Sequence, residues 1–583
     1  MLKYISYSRL KGVFPIMQAM RSLVPALLFP ILFMVVGCTR SADPRTAGAA
    51  GSAQARAMPP LFEEVASASG IHYTWSVTGQ RPFNILQTIG NGCAFLDADN
   101  DGNPDILLIG PHLALFKGDG KGHFADVSHA MGLDRWEGHF LGCAVGDYDN
   151  DGYDDLYISA YRGGMLLHNE SGRGFRDVTR QAGIAAQLWG TSCAFGDFDG
   201  DGKLDLYICN YADFEPTTLP QLCSFHGILS SCGPRYYTPL KGRLYRNLGQ
   251  GRFQDVTAPS HADTVHGRGL GVAFVDYNGS GRQSLAIAND ENPGDLLENQ
   301  GHGFRNVGVD SGMAYDSASN VHGGMGLDWG DSMNRGRFDL VVATFFAEDK
   351  CLYRNEGNGI FSERCRSLGL AQPLMPYVSF GVKFLDYDND GFLDLCFANG
   401  HVQDNIDRIE KTTYREPLAL MHNEAGQRFQ DVSARAGSVF ATPIVGRGLA
   451  TGDFDNDGRV DLLVVDSEGA PLLLHNQTAG SGHWLGVKLI GARSNRDGYG
   501  ATLKVEAGGL HLLQRCGTDG SYLSASDRRV HFGLGNAARA DLLTVQWPSG
   551  SKTVLRDIPA DRYITVQEGA STPPPAPTPR RVE

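Results

Sequence analysis

The chain has 583 residues, of which 42% are apolar, and a formal charge of −14 from 51 Lys and Arg against 65 Asp and Glu. That balance excludes a nucleic-acid partner, which demands clustered cations. The Asp excess also recurs in short loops, so it is not the acidic tail of an interaction segment.

At the N-terminus, residues 22–36 form an apolar run of 15 behind Arg21, too short and too broken by Pro25 and Pro30 for a membrane span. The run ends in Val35-Val36-Gly37-Cys38, which is similar to a bacterial lipobox and implies lipidation at Cys38; a plain signal peptide is the alternative. Either route exports the chain to the cell envelope, facing the periplasm or the cell surface, or secretes it if Cys38 carries no lipid. Residues 1–37 therefore read as a signal peptide whose true start is Met1, Met17 or Met20. Residues 38–59, rich in Ala, Gly, Ser and Arg, read as a flexible tether.

Next comes the pattern Asp-x-Asp-x-Asp-Gly-x-x-Asp, found five times. Its copies supply Asp97, Asp99, Asp101 and Asp105; Asp147, Asp149, Asp151 and Asp155; Asp197, Asp199, Asp201 and Asp205; Asp386, Asp388, Asp390 and Asp394; and Asp453, Asp455, Asp457 and Asp461. Four hard oxygens at positions 1, 3, 5 and 9 suit Ca²⁺. A Gly at position 6 permits the turn that brings in the position-7 carbonyl, from Asn103, Tyr153, Lys203, Phe392 or Arg459. Taken as having no basic neighbour, such a set repels itself unless a cation fills it, which predicts about five structural Ca²⁺ ions. Bound, they would bring the net charge to about −4. Solvated acidic turns are the bland alternative. The loop is no EF-hand, because Leu108, Ile158 and Ile208 stand at position 12 and β-type apolar runs flank it.

Two decayed copies lie between the full ones. Asp276 to Ser284 keeps four oxygen side chains but one carboxylate, so weak Ca²⁺ binding is expected; Asp331 to Asp339 places Met333 and Arg335 at ligand positions, so no metal is expected. After the loops recurs Leu-x-x-Asn, a Gly-rich turn, then Phe-x-Asp-Val, as in Leu244 to Asn247 with Phe253 to Val256. Each repeat thus holds about four short strands, the content of a propeller blade. Loops beginning at 97, 147, 197, 276, 331, 386 and 453 predict an all-β, seven-bladed propeller over 60–478. The last repeat lacks its Phe-x-Asp-Val strand, and a spare copy, Phe62-Glu63-Glu64-Val65, precedes the first, which predicts closure by the N-terminus.

These residues resemble the FG-GAP, integrin-α-like propeller repeats. The resemblance continues into residues 480–569, similar to the ASPIC/UnbV domain of the cartilage acidic protein family through His483-Trp484-Leu485, Asn495 to Ala501, Ser521 to Ser524, His531 to Gly535 and Val545 to Gly550. Read by pattern alone, this region is a small β-sandwich. Asn495, Asp497, Ser521 and Ser524 are candidates for a binding edge, with turn chemistry the alternative. Residues 570–583 are Pro-rich and read as disordered.

Of the eleven Cys, Cys93, Cys143 and Cys193 hold equivalent places four residues before their loops and read as buried apolar residues. Disulfide candidates are Cys223 with Cys232, inside a long insertion, and Cys351 with Cys365. The chain carries no Gly-x-Ser-x-Gly elbow, zinc helix, haem motif or phosphate loop. His322 and His401 are the candidates for a functional role at the ring axis, with a structural role as the commoner alternative. The expectation is a calcium-binding, exported, lipid-anchored propeller that binds a protein or glycan. The other reading is a propeller enzyme with a pocket at the central channel.

Overall fold

A computed structural model describes residues 60–217 and 221–570. The lipobox with Cys38, the signal and tether segments and the C-terminal tail lie outside the described residues. Between Phe62 and Asn476, antiparallel sheets of four short strands recur seven times, two of them joined edge to edge through Tyr161 and Trp189. In the first, Cys93–Leu96 pairs with Asp105–Ile109, then Leu113–Gly118, then Phe124–Asp126. The first strands of successive sheets touch in order, from Cys93–Leu96 through Phe140–Gly146, Gln187–Gly196, Gly269–Val275, Leu327–Gly330 and Ser379–Leu385 to Gly446–Gly452. Gly446–Gly452 in turn touches Cys93–Leu96, and the ring is closed. The chain is a β-propeller, and its strands are buried on both faces because each sheet packs between two neighbours.

Phe62–Glu64 is the fourth strand of the last sheet, paired from Phe62 to Asn476 and from Glu64 to Leu474. Phe62, 1% exposed, packs on Tyr387 and Phe440, so apolar burial and backbone pairing both hold the propeller's first and last strands together.

Each sheet's first hairpin, the one carrying the Asp-rich loop, opens on one face of the ring. The connections from second to third strand open on the other. The insertion in the third sheet is of this second kind and forms a small hairpin, Leu222–Phe225 with Ile228–Ser231, closed by a Cys223–Cys232 disulfide. Cys351 and Cys365, by contrast, are separate buried thiols. The expected pairing fails because the two side chains enter different cores: Cys351 packs with Trp329 and Tyr353, and Cys365 with Leu368 and Leu395. Cys93, Cys143 and Cys193 are buried thiols among inner-strand apolar side chains.

The C-terminal region folds as two facing sheets. One holds Val530–Gly535, His483–Ile490 and Arg562–Gln567; the other holds Leu510–Arg515, Thr502–Ala507, Arg539–Gln546 and Lys552–Pro559. Leu485, Val487, Leu503, Val505, Leu543 and Val545 fill the space between them in one cluster that runs on into Phe195, Leu206 and Tyr245 of the propeller. No helix among the described residues is long and apolar enough to cross a membrane.

Candidate metal loops and the face they leave free

The Asp-rich loops share one backbone design. Position 4 is left-handed in all seven, at φ 56° for Asn100, 62° for Asn150, 73° for Gly200, 70° for Gly279, 50° for Asn334, 56° for Asn389 and 60° for Asn456. Asn and Gly tolerate that conformation best, and their recurrence at position 4 is a sequence signal that Gly at position 6 overshadowed. The position-1 carboxylate caps the turn. Asp147 accepts from Asp151 N at 2.9 Å and Gly152 N at 2.7 Å, and Asp386 from Asp390 N at 3.0 Å and Gly391 N at 2.8 Å. The position-9 carboxylate accepts from the position-2 amide, as Asp461 does from Phe454 N at 3.1 Å.

These bonds fix the acids without using all their oxygens. The position-3 atoms Asp99 Oδ1, Asp388 Oδ1 and Asp455 Oδ1 are buried with no hydrogen-bond partner. Burial, and then the neighbouring acids, hold Asp386 well above the usual carboxylate range; burial with coulombic help from Asp497 raises Asp147 to about 9. Orphaned buried oxygens among mutually repelling carboxylates fit an oxygen-seeking divalent cation. Triads such as Asp97, Asp99 and Asp101, or Asp147, Asp149 and Asp151, have ligand atoms within 4.8 Å of one another.

One expectation is overturned. The loops do have basic neighbours: Lys203 beside Asp201 and Arg459 beside Asp457 within two of them, and in all five a third-strand residue, one before its Leu-x-x-Asn asparagine or the equivalent position. Lys117 bonds Asp99 and lies 3.0 Å from Asp101; Arg246 meets Asp199 at 2.5 Å. His168 approaches Asp155 at 3.2 Å, His422 approaches Asp394 at 3.1 Å, and His475 approaches Asp455 at 3.1 Å. Because the third-strand contact joins residues 13 to 47 positions apart in the chain, no local window of sequence shows it. In the decayed copies the chain supplies its own substitutes. Arg335 reaches Asp339 Oδ1 at 2.9 Å, and Asn278 Nδ2 donates to Glu298 at 3.1 Å.

The C-terminal domain lies across this Asp-rich-loop face. Tyr563 OH donates to Asp453 Oδ2 at 2.7 Å, Lys488 Nζ stands 3.4 Å from Asp97, and Arg496 Nε stands 3.8 Å from Asp147. Asp497 accepts from Asp147 N at 2.8 Å and pairs with Arg528, which also meets Asp154 at 2.9 Å. The segment Ser521–Ser526 enters the ring axis. Ser521 N bonds Leu327 O at 2.6 Å, Leu523 O accepts from Cys143 N at 3.2 Å, and Tyr522 OH reaches Ile89 O at 2.8 Å. Asn495 closes its own turn onto Tyr499. The four polar residues expected to form a binding edge therefore hold the domain's own turn and dock it on the propeller.

The opposite face is open. Near the axis it carries a cavity of about 300 Å³, walled by Ile89, Met325, Phe345 and Phe380 and flanked by the disulfide-closed hairpin. His322 and His401 are buried close by. Burial pushes their pKa values down to about 4 and about 3; His322 Nε2 meets Tyr353 OH at 3.0 Å, and His401 Nδ1 accepts from Gln403 N at 3.0 Å.

Comparison with known proteins agrees with this architecture. Residues 97–158 and 147–208 match the model of the FG-GAP-like repeat, and residues 491–573 match that of ASPIC and UnbV. Cartilage acidic protein 1 of Xenopus tropicalis is 27% identical over 79% of this chain and 70% of its own length, and that of Mus musculus 25% over 82% and 73%. Among solved structures, an Agrocybe aegerita lectin described as recognising non-reducing terminal N-acetylglucosamine aligns with a TM-score of 0.39 at 13% identity, covering 67% of this chain and 96% of the lectin. A Bacillus licheniformis rhamnogalacturonan lyase aligns at 0.33 and 11%, covering 66% and 71%. The chain carries FG-GAP-like repeats and an ASPIC and UnbV domain, and over about four fifths of its length it is similar to cartilage acidic protein 1.

Proposed function

We propose that the chain is an exported propeller, anchored through a lipid on Cys38, that binds a protein or glycan through the face opposite its Asp-rich loops. Five of those loops, those beginning at Asp97, Asp147, Asp197, Asp386 and Asp453, would each hold a structural Ca²⁺. The observation that carries this reading is the division of the two faces. The loop face is covered by the C-terminal domain and the axis is filled by Ser521–Ser526, whereas the other face keeps its long connections, hairpin and cavity for a partner. Calcium's part is mechanical: by neutralising the position-1, -3, -5 and -9 carboxylates it would lock each hairpin, so that the connections at its far end stand at fixed separations. Detergent-solubilised envelope should yield a specific partner on the immobilised chain in millimolar Ca²⁺ and lose it in EGTA. Retention of no partner in Ca²⁺ would rule the binding role out, and retention unchanged by EGTA would rule out the calcium part alone.

A further inference from the structure

The cavity on the free face has a chemistry of its own. Its inner wall is apolar, with Leu270, Met325 and Phe380 each no more than 2% exposed. Asp290, Glu291, Glu348 and Glu410 line it, against a single lining cation among the described residues, Arg235. Arg235 is committed to Glu291, with its Nε 2.8 Å from Oε2, and Glu348 is held by the amides of Gly323 at 2.9 Å and Phe345 at 3.1 Å.

Asp290 is different. It is 7% exposed, its Oδ2 accepts from Tyr211 OH at 2.6 Å, and no donor among the described residues reaches its Oδ1. Gly323 keeps that oxygen open, since a Cβ there would lie 3.1 Å away. The other buried cations nearby do not answer it: Arg268 donates to Tyr237 O, Lys350 to Phe345 O and Tyr377 O, and Arg447 to Thr88 O and Gly400 O. A largely buried carboxylate that lines a cavity, with one oxygen free of any protein donor among the described residues, is better satisfied when a positive donor meets it.

The geometry points to a site for a small organic cation, a molecule whose aromatic or aliphatic body seats on Met325 and Phe380 while its ammonium group donates to Asp290 Oδ1. About 300 Å³ suits a body of roughly a dozen non-hydrogen atoms. Glu348 and Glu410 add attraction at the mouth. The ring of Phe380 already faces one cation, the Arg447 guanidinium 3.9 Å from its centroid. This inference rests on the reading of that face as the binding face and names a ligand class for it.

Calorimetric titration of the full chain at pH 8 with tryptamine and with tryptophol, its neutral alcohol counterpart, tests the site. Tryptamine should bind saturably and tryptophol at least tenfold more weakly. Asp290→Asn should weaken tryptamine at least tenfold and narrow the gap between the two compounds. Glu348→Gln, farther from the bare oxygen, should weaken it severalfold and serves as the variant if Asp290→Asn does not fold. Equal binding of amine and alcohol, no saturable binding of tryptamine or phenethylamine, or binding only of a lysine-bearing peptide would each overturn the proposal. So would unchanged affinity in the folded variants. A chain that retains a calcium-dependent partner but takes no amine loses this inference alone, and one that takes the amine but retains no partner in Ca²⁺ loses the protein- or glycan-binding role and keeps the cation site.

Discussion

Glu416 shows how much an individual acid can cost the fold away from the loops. It is 1% exposed, with Oε2 accepting from Val378 N at 2.8 Å and Oε1 buried without a partner. Burial raises its carboxyl to about 8, against a partial pull downward from Lys350 and Arg447. In the unfolded chain the same group titrates near ~4.3. Between those values the folded state holds a proton that the unfolded state has released, so its contribution to stability falls as pH rises and is fully lost above about 8. Glu416→Gln keeps the acceptor for Val378 and removes the titration. Thermal melts should show parent and variant close together at pH 5, and the variant pulling ahead by on the order of 2–4 kcal/mol by pH 9. A gap that stays constant across that range would mean that Glu416 keeps its charge in the fold.

At the scale of the blade, the asparagine of Leu-x-x-Asn is a latch between neighbours. Asn247 Nδ2 donates to Leu204 O at 3.0 Å in its own loop and to Tyr148 O at 2.7 Å in the preceding blade's loop. Asn169, Asn299, Asn355, Asn423 and Asn476 repeat the pair of bonds. Only the first blade departs, with Gly118 at that position, where a Cβ would come 2.2 Å from Pro104 O. The seam between the last and first blades therefore relies on other contacts, such as Phe124 against Phe454 and Asn456 bonded to Asn103. Asn247→Ala strips donors from two buried carbonyls and should cost about 2–4 kcal/mol, read as a lower urea midpoint. A loss below ~0.5 kcal/mol would mean that water replaces the amide. The recurrence of Asn was plain in the sequence, but its partner is not: half of each latch lies in another repeat, as Tyr148 does for Asn247. The loop acids and the spare Phe62 strand were legible because they recur at fixed offsets. The bases over the loops and the Asp290 cavity were not, because strands distant in the chain assemble them. Cys351 and Cys365 misled for the same reason, since proximity in sequence carries no information about which core a side chain enters.

Across the whole molecule, the C-terminal domain and the Asp-rich loops share charges. Tyr563 and Arg529 meet Asp453 by its carboxylate and its carbonyl, Lys488 stands beside Asp97, and Arg496 beside Asp147; these are the position-1 acids of three loops expected to hold Ca²⁺. If the ions are present, each loop's acids are neutralised and its backbone fixed, and the domain docks on a rigid platform. Removing them leaves the acids to repel one another and their loops to open, so the docking contacts loosen with them. Each ion bound at a hundred times its dissociation constant adds about 2.7 kcal/mol to the folded state, and the ring should lose that support on chelation. EGTA should therefore lower the melting temperature and raise amide exchange in two places at once. One is the Asp-rich hairpins of the propeller; the other is the docking segments around Lys488, Arg496 and Ser521–Ser526, although those segments contain none of the expected ligands. Exchange that rises in the hairpins alone would show that the domain holds the ring without help from the metal. Exchange unchanged in both would show that Lys117, Arg246 and the three histidines already neutralise the loops well enough to keep them closed.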